Sequence, residues 1–504
     1  MDVLNNLWLG FSVAVSPANL MYCLIGVLLG TLIGVLPGIG PTATIAMLLP
    51  ITFTLNPTSS LIMLAGIYYG AQYGGSTTAI LVNIPGEVSS VVTTLDGYQM
   101  ARRGRAGAAL AMSAIGSFAA GCFSTLLVAL AAPPLAEIAL KFGPSEYFSL
   151  MVFGLIGATV LAHGSVVKAI GMVLLGLLFG IVGTDVNSGV LRFTFGVPEL
   201  SDGIGLIPIF MGMYGLGEII KNLEHDDAKP REVFTHAKLN LMPTMEDLKR
   251  SVGPILRATG IGSMLGLLPG GGALIATFAS YTVEKKLSKT PELFGTGMIE
   301  GVAGPEAANN AAAQTSFIPM LTLGIPSNIV MALMIGAMMI QGIAPGPQVM
   351  TQKPELFWGL IASMWVGNLM LVILNLPLIG MWVKLLQVPY RLLAPSICLF
   401  MAIGVFGLSN NPFDMIVMAI YGAFGIICVK LEMEMAPMAL AVVLGPLMEE
   451  NLRRAMLLSR GDPTVFFTKP ISAGFMIASI LLLVILMLPF LRKKREQVFV
   501  EEDQ

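Results

Sequence analysis

Glu306 stands isolated as a charge. It lies in Ala303-Gly304-Pro305-Glu306-Ala307-Ala308-Asn309-Asn310, and no charged residue follows until Lys353. An ionisable group in so apolar a run either binds a coupling cation or caps a helix, and the two readings weigh equally. Hydroxyls and amides accompany it at Thr42, Thr44, Gln72, Ser76, Thr77, Thr78, Asn83, Asn309, Asn310, Gln314, Thr315, Ser316, Ser327 and Asn328. Such groups suit carboxylate oxygens or a partly dehydrated Na⁺. Taken singly, each Ser or Thr more often bonds its own helix carbonyl; as a group they are too dense to be incidental. Other chemistry finds little support. His163, His225 and His236 have no partner at ligand spacing and read as solvated, and Cys23, Cys122, Cys398 and Cys428 read as small buried hydrophobes. No HExxH, Ser–His or Cys–His pairing, aspartyl dyad or P-loop occurs, so neither an enzyme nor an ATP-driven pump is expected. No cofactor and no tightly bound metal are expected.

The polar residues gather where glycine and proline interrupt apolar segments. Gly34-Val35-Leu36-Pro37-Gly38-Ile39-Gly40 is matched by Gly266-Leu267-Leu268-Pro269-Gly270-Gly271-Gly272, a displacement of 232 residues from Pro37 to Pro269. Asn83-Ile84-Pro85-Gly86 is matched by Gly324-Ile325-Pro326-Ser327, a displacement of 241 from Pro85 to Pro326. The near-agreement points to a duplicated unit with a small insertion. Proline within a helix removes a donor and clashes with the preceding turn. In lipid such breaks survive only inside protein or beside a watery cavity. A helix resuming at Thr42 or Ala273 would aim N–H groups and about half a positive charge into that cavity, which binds an anion without a basic side chain. The candidate substrate residues are therefore Pro37, Gly38, Gly40, Thr42, Ser76, Thr77, Asn83, Pro85 and Gly86 in the first half. In the second half they are Pro269, Gly270, Gly272, Asn309, Asn310, Pro326, Ser327 and Asn328. Glu306 is the candidate coupling group, and Glu87 reads as interfacial. The plainer reading of the glycines is close helix packing.

The elements that would position these residues are membrane helices. The sequence is 55% hydrophobic and 12% charged, with a mean hydropathy of +0.81; soluble domains average about 25% charged. A net charge of −2 without a basic patch gives no footprint for nucleic acid. Clear spans are expected at 108–132, 146–162, 166–184, 204–220, 357–382, 394–410, 413–430 and 471–491, with interrupted segments at 18–54, 59–95, 254–282 and 307–345. The expected fold is an all-α polytopic membrane protein of about ten to twelve segments. Its organisation would be a first repeat over 1–220, a cytoplasmic connection over 221–257, a second repeat over 258–491 and a tail over 492–504. The first ten residues carry an acid and no base, unlike a secretory leader. No Lys or Arg precedes Arg102, whereas bases gather at 102–105, 221–257 and 492–495. This places the amino terminus in the periplasm and the carboxyl terminus in the cytoplasm. Bases follow opposite elements in the two halves, as in inverted repeats with broken, re-entrant hairpins. Arg453 and Arg454 resist the scheme: either their segment is re-entrant or they have structural partners.

The segments GTLIGVLPGIGPTATIAMLLP, YGAQYGGSTTAILVNIPGE, DGYQMARRGRAG, FGPSEYFSLMVFG, LPGGGALIATFASYTVEKKLS, GVAGPEAANNAAAQTSFIPMLTLGIPSN and LGPLMEENLRRAM carry a resemblance spanning nearly the whole chain. The sequence resembles the large membrane subunit of the tripartite tricarboxylate transporters, the TctA family. That resemblance implies a bacterial inner-membrane permease working with a small membrane subunit and a periplasmic solute-binding protein. It implies uptake of di- or tricarboxylates by symport with an ion, commonly Na⁺, and by further analogy an elevator motion of the hairpin-bearing part. A gated passive channel for small organic anions is the alternative, since it would share the broken helices.

Overall fold

The structure, a computed structural model, describes residues 3–36, 40–162, 165–185, 188–224, 242–270, 272–385 and 390–487. Pro37, Gly38, the three histidines and the basic tail lie outside the described residues. The first half opens with α1 (Val3–Ala14), α2 (Pro17–Val35), α3 (Gly40–Phe53), α4 (Pro57–Val82), α5 (Val91–Arg102) and α6 (Ala106–Ala139). It continues with α7 (Pro144–Leu161), α8 (Val166–Gly180), α9 (Leu206–Phe210) and α10 (Gly217–Glu224). The second half runs through α11 (Met245–Leu265), α12 (Gly272–Leu287), α13 (Glu300–Thr315), α14 (Phe317–Leu323), α15 (Ile329–Ile340), α16 (Gln348–Gln352) and α17 (Pro354–Asn375). It closes with α18 (Ile379–Leu385), α19 (Tyr390–Ser409), α20 (Pro412–Lys430), α21 (Ala436–Leu458), α22 (Val465–Thr468) and α23 (Pro470–Met487).

This is an all-α polytopic membrane protein, as the sequence predicts. Among the described residues α2, α6, α17 and α20 are long and apolar enough to cross a membrane, and seven shorter helices are apolar. Large side chains such as Trp8, Leu130, Leu174, Ile373 and Ile420 lie exposed, as suits helices that face lipid rather than water. Over its described residues each clear span predicted from sequence is mainly helical, although 357–382 is divided between α17 and α18, and 166–184 leaves the helix after Gly180. The 204–220 span is not one regular helix: α9 and α10 are joined by a π-helical turn over Met211–Leu216. Local chemistry starts the helices: Asn56 accepts the Thr58 N–H at 2.9 Å ahead of Pro57, and Asn411 accepts from Phe413 ahead of Pro412.

Helices α4 and α13 form the centre. Ser59 through Leu81 of α4 and Gly301 through Thr315 of α13 are all buried. Helix α2 packs on α4, and α11 packs on α13. Then each half reaches into the other, because α6 packs on α13 and α11 while α17 packs on α4 and α2. The second apolar break joins α11 to α12, so the first half of α11 lies inside the 221–257 stretch.

Arg453 has structural partners. The short antiparallel pair Gly183–Thr184 and Leu191–Arg192 brings Asp185 and Arg192 to the charged end of α21. Arg453 donates to Asp185 at 2.9 Å and Glu449 at 2.7 Å, Arg192 pairs with Glu449 at 2.7 Å, and Arg454 pairs with Glu450. Helix α21 is continuous, so mutual neutralisation rather than a re-entrant turn accounts for these arginines.

Candidate functional site

The second apolar break is laid against the IP segment that follows it, and in the first half the end of α2 is laid against the corresponding segment. In the second half, Gly270 takes φ +119°, and its N–H donates to the Ser327 carbonyl at 2.9 Å. The Ser327 hydroxyl donates to the Ser316 carbonyl at 3.3 Å, and Pro326 is buried beside it. Asn328 caps α15 by accepting the Met331 N–H at 2.9 Å, and its amide donates to the Tyr68 hydroxyl of α4 at 3.2 Å. Gly272 opens α12, and Pro269 sits against Gly157 of α7.

The first half is built alike. Gly40, at φ +65°, opens α3, and its carbonyl accepts the Thr44 hydroxyl at 2.8 Å. Helix α4 stops at Asn83, which takes the left-handed conformation with φ 59° and ψ 29°; Gly324 ends α14 in the same way, with φ 69° and ψ 24°. Asn83 is exposed and Pro85 half-buried. Gly86 is pressed so closely on the end of α2 that a Cβ there would fall 2.0 Å from the Gly34 carbonyl oxygen. Thr78 donates to that same oxygen at 3.2 Å, and the Gly86 N–H reaches the Gly75 carbonyl at 3.4 Å. Thr42 lies half-buried in the first turn of α3 and Thr77 is buried in α4, and among the described residues neither has a side-chain hydrogen bond.

Between the two tips α4 and α13 exchange polar contacts. The Ser76 hydroxyl donates to Glu306 Oε2 at 2.5 Å, and Thr93 of α5 donates to Glu306 Oε1. Asn310 donates to the Ser117 hydroxyl of α6 at 2.7 Å and to the Glu306 carbonyl at 3.1 Å. Asn309 donates to Glu87 Oε1 at 2.9 Å. Glu87, read from sequence as interfacial, therefore turns inward. Ser89 contacts both Glu87 Oε1 and Gln72 Oε1, the latter at 3.2 Å. Proceeding back along α4 from Ser76 to Tyr68 moves onward from Glu306 to Asn328, so α4 touches both α13 and the segment that starts α15.

Sequence reasoning missed Thr93, Ser117, Tyr68 and Asp96; it noted Glu87 but read it as interfacial, and it noted Gln72 without placing it. Asp96 is fully buried on α5, where it accepts from the Tyr281 hydroxyl at 2.9 Å and the Gly297 and Met298 N–H groups at 2.7 Å. The Gly295 N–H adds a further bond at 3.0 Å. An acid six positions ahead of Arg102 looks like part of a polar boundary; only the fold reveals the loop it pins.

Residues 20–440 match the family described as the tripartite tricarboxylate transporter TctA family. A protein of Agrobacterium vitis, described as an uncharacterized 52.8 kDa protein in the TAR-I ttuC' 3'region, is 60% identical over 503 residues and covers the whole of both chains. A second from the same organism, described as an uncharacterized protein in the TAR-II ttuC' 3'region, is 60% identical over 242 residues, all of that protein and 48% of this chain. No solved structure matches. With its paired broken helices, buried polar crossing and a match over most of its length, the chain belongs to the tripartite tricarboxylate transporter TctA family.

Proposed function

We propose that this chain is the membrane permease subunit of a binding-protein-dependent secondary transporter that imports di- and tricarboxylates on a Na⁺ gradient. In this reading it sits in the bacterial inner membrane beside a small membrane subunit and receives its anion from a periplasmic solute-binding protein. The observation that carries the reading is the Gly270–Ser327 bond, which draws the second break onto the segment that starts α15. It sets the beginnings of α12 and α15 around one spot, and helix N-termini favour an anion there. The sequence holds no Lys or Arg from 258 to 284 or from 290 to 352, so that anion would be met by backbone, hydroxyls and amides. The Gly34–Gly86 arrangement supplies the counterpart in the first half.

Glu306, bonded to Ser76 and Thr93, is the group through which the cation would act. The two halves would be inverted repeats, and the hairpin-bearing part would move as a unit against the rest. Uptake of labelled di- and tricarboxylates into vesicles holding this chain and its small partner tests the reading. Carboxylate flux that ignores every ion gradient would favour a gated channel instead.

A further inference from the structure

We propose that Glu87 and Glu306 together form one binding site for a dehydrated Na⁺, an inference that rests on the transporter reading and extends it to a second carboxylate. Four observations lead there. Among the described residues neither carboxylate has a Lys, Arg or His within ion-pair distance; Glu306 is only 1% exposed, and Glu87 is half-buried against Asn309, which is 0% exposed. A buried carboxylate such as Glu306 is expensive without a counter-charge, and a bound cation removes that cost. Apart from the Asn309 amide nitrogen on Glu87, the surrounding polar atoms are oxygens: the two carboxylates, the Ser76, Ser89 and Thr93 hydroxyls and the Gln72 amide oxygen. Hard cations select such ligands. Finally, Asn309 Oδ1 is buried with no hydrogen-bond partner, while the nitrogen of the same amide is held on Glu87. An amide oxygen fixed beside a carboxylate and left unpaired is a ready cation ligand.

The chain also links the two acids. Ser76 bonds Glu306 and the Gln72 carbonyl, and Ser89 bonds the Gln72 side chain and Glu87. Glu87 follows Pro85-Gly86 in the first half, whereas Glu306 and Asn309 lie on α13 in the second. A cation between them would fasten the Gly86 segment to α13 before the anion arrives. Sodium occupancy would thus shape the anion site, rather than merely accompany the substrate.

The test is equilibrium binding of radiolabelled Na⁺ to the purified full-length chain, with no carboxylate present. Saturable binding is expected, lost in both Glu87→Gln and Glu306→Gln and weakened about tenfold or more in Asn309→Ala. Glu449→Gln, in the separate Arg192–Arg453 cluster, should bind as the parent does. Normal Na⁺ binding by Glu87→Gln overturns the two-carboxylate site even when Glu306→Gln is dead. If Glu87→Gln does not stay monodisperse, thermal unfolding of the parent in Na⁺ against K⁺ decides. Stabilisation by Na⁺ that Glu87→Asp diminishes supports the site, and no Na⁺-specific stabilisation of the parent overturns it. An effect of lowered pH alone, with no Na⁺ effect, assigns the site to protons and also overturns the proposal. Because no transport is measured, Na⁺ binding without carboxylate uptake would leave this site standing and reject only the transport reading.

Discussion

Gly30 and Gly262 occupy the same place in two copies of one helix crossing. A Cβ on Gly30 would fall 2.4 Å from the Ile67 carbonyl oxygen, and one on Gly262 would fall 2.3 Å from that of Ala308. One turn later Gly34 meets Ala71 at 2.3 Å and Gly266 meets Ala312 at 2.4 Å. These glycines are displaced by 232 residues and their partners by 241, the displacements already seen in the LPG and IP motifs. The plainer reading holds for these glycines: they pack α2 closely on α4, and α11 closely on α13, just ahead of the two breaks.

Gly30→Ala and Gly262→Ala should each destabilise the protein by about 1–3 kcal/mol, because a backbone carbonyl cannot swing aside as a side chain can. Gly260 also lies in α11 but has nothing within 4 Å of its would-be Cβ. Gly260→Ala should be neutral, or stabilising by up to about 1 kcal/mol. Thermal unfolding in detergent compares the three, and equal stability of Gly262→Ala and Gly260→Ala would refute the packing argument.

Gly270→Leu should abolish uptake while membrane insertion persists. Its φ of +119° is hostile to any L side chain, and its N–H holds Ser327. Gly86→Ala should behave alike, since its Cβ would strike Gly34. Normal uptake by both variants, at matched membrane abundance, would count heavily against the tips as the substrate site.

Asn83→Gly should keep stability, whereas Asn83→Val should lose about 1–2 kcal/mol, the cost of left-handed backbone for a β-branched residue that lacks the short polar side chain of Asn. Thermal unfolding reads the difference. Identical midpoints for the two variants would mean that this helix end is not held as described.

Asp96→Ala should release the exposed Gly295, half-buried Gly297 and buried Met298 N–H groups, at about 1–3 kcal/mol for the buried Met298 donor and less for the two that water reaches. Limited proteolysis should show new cleavage within 288–299. A loop as resistant as in the parent protein would show that Asp96 does not hold it.

Spans, their turns and the paired breaks were legible because each is a local matter of apolar length, proline and glycine. The contacts around Glu87 and Glu306 were not. Glu87 and Asn309 are 222 residues apart, and Ser76 and Glu306 are 230 apart. Glu87 seen locally is an acid after a proline-glycine turn, which is how an interfacial residue looks as well. Asp96 was hidden for the same reason, its partners lying 185 to 202 residues away. The π-helical turn after α9 was equally illegible, since a hydropathy window registers apolar length and not the pitch of the backbone.

The most direct measurement is uptake of a labelled di- and tricarboxylate panel into vesicles carrying this chain with the proposed small membrane subunit, with and without the proposed binding protein and an inward Na⁺ gradient. Accumulation that requires both is the expected result and would identify the substrate class. Absence of carboxylate flux under every gradient, with the protein correctly inserted, would contradict it.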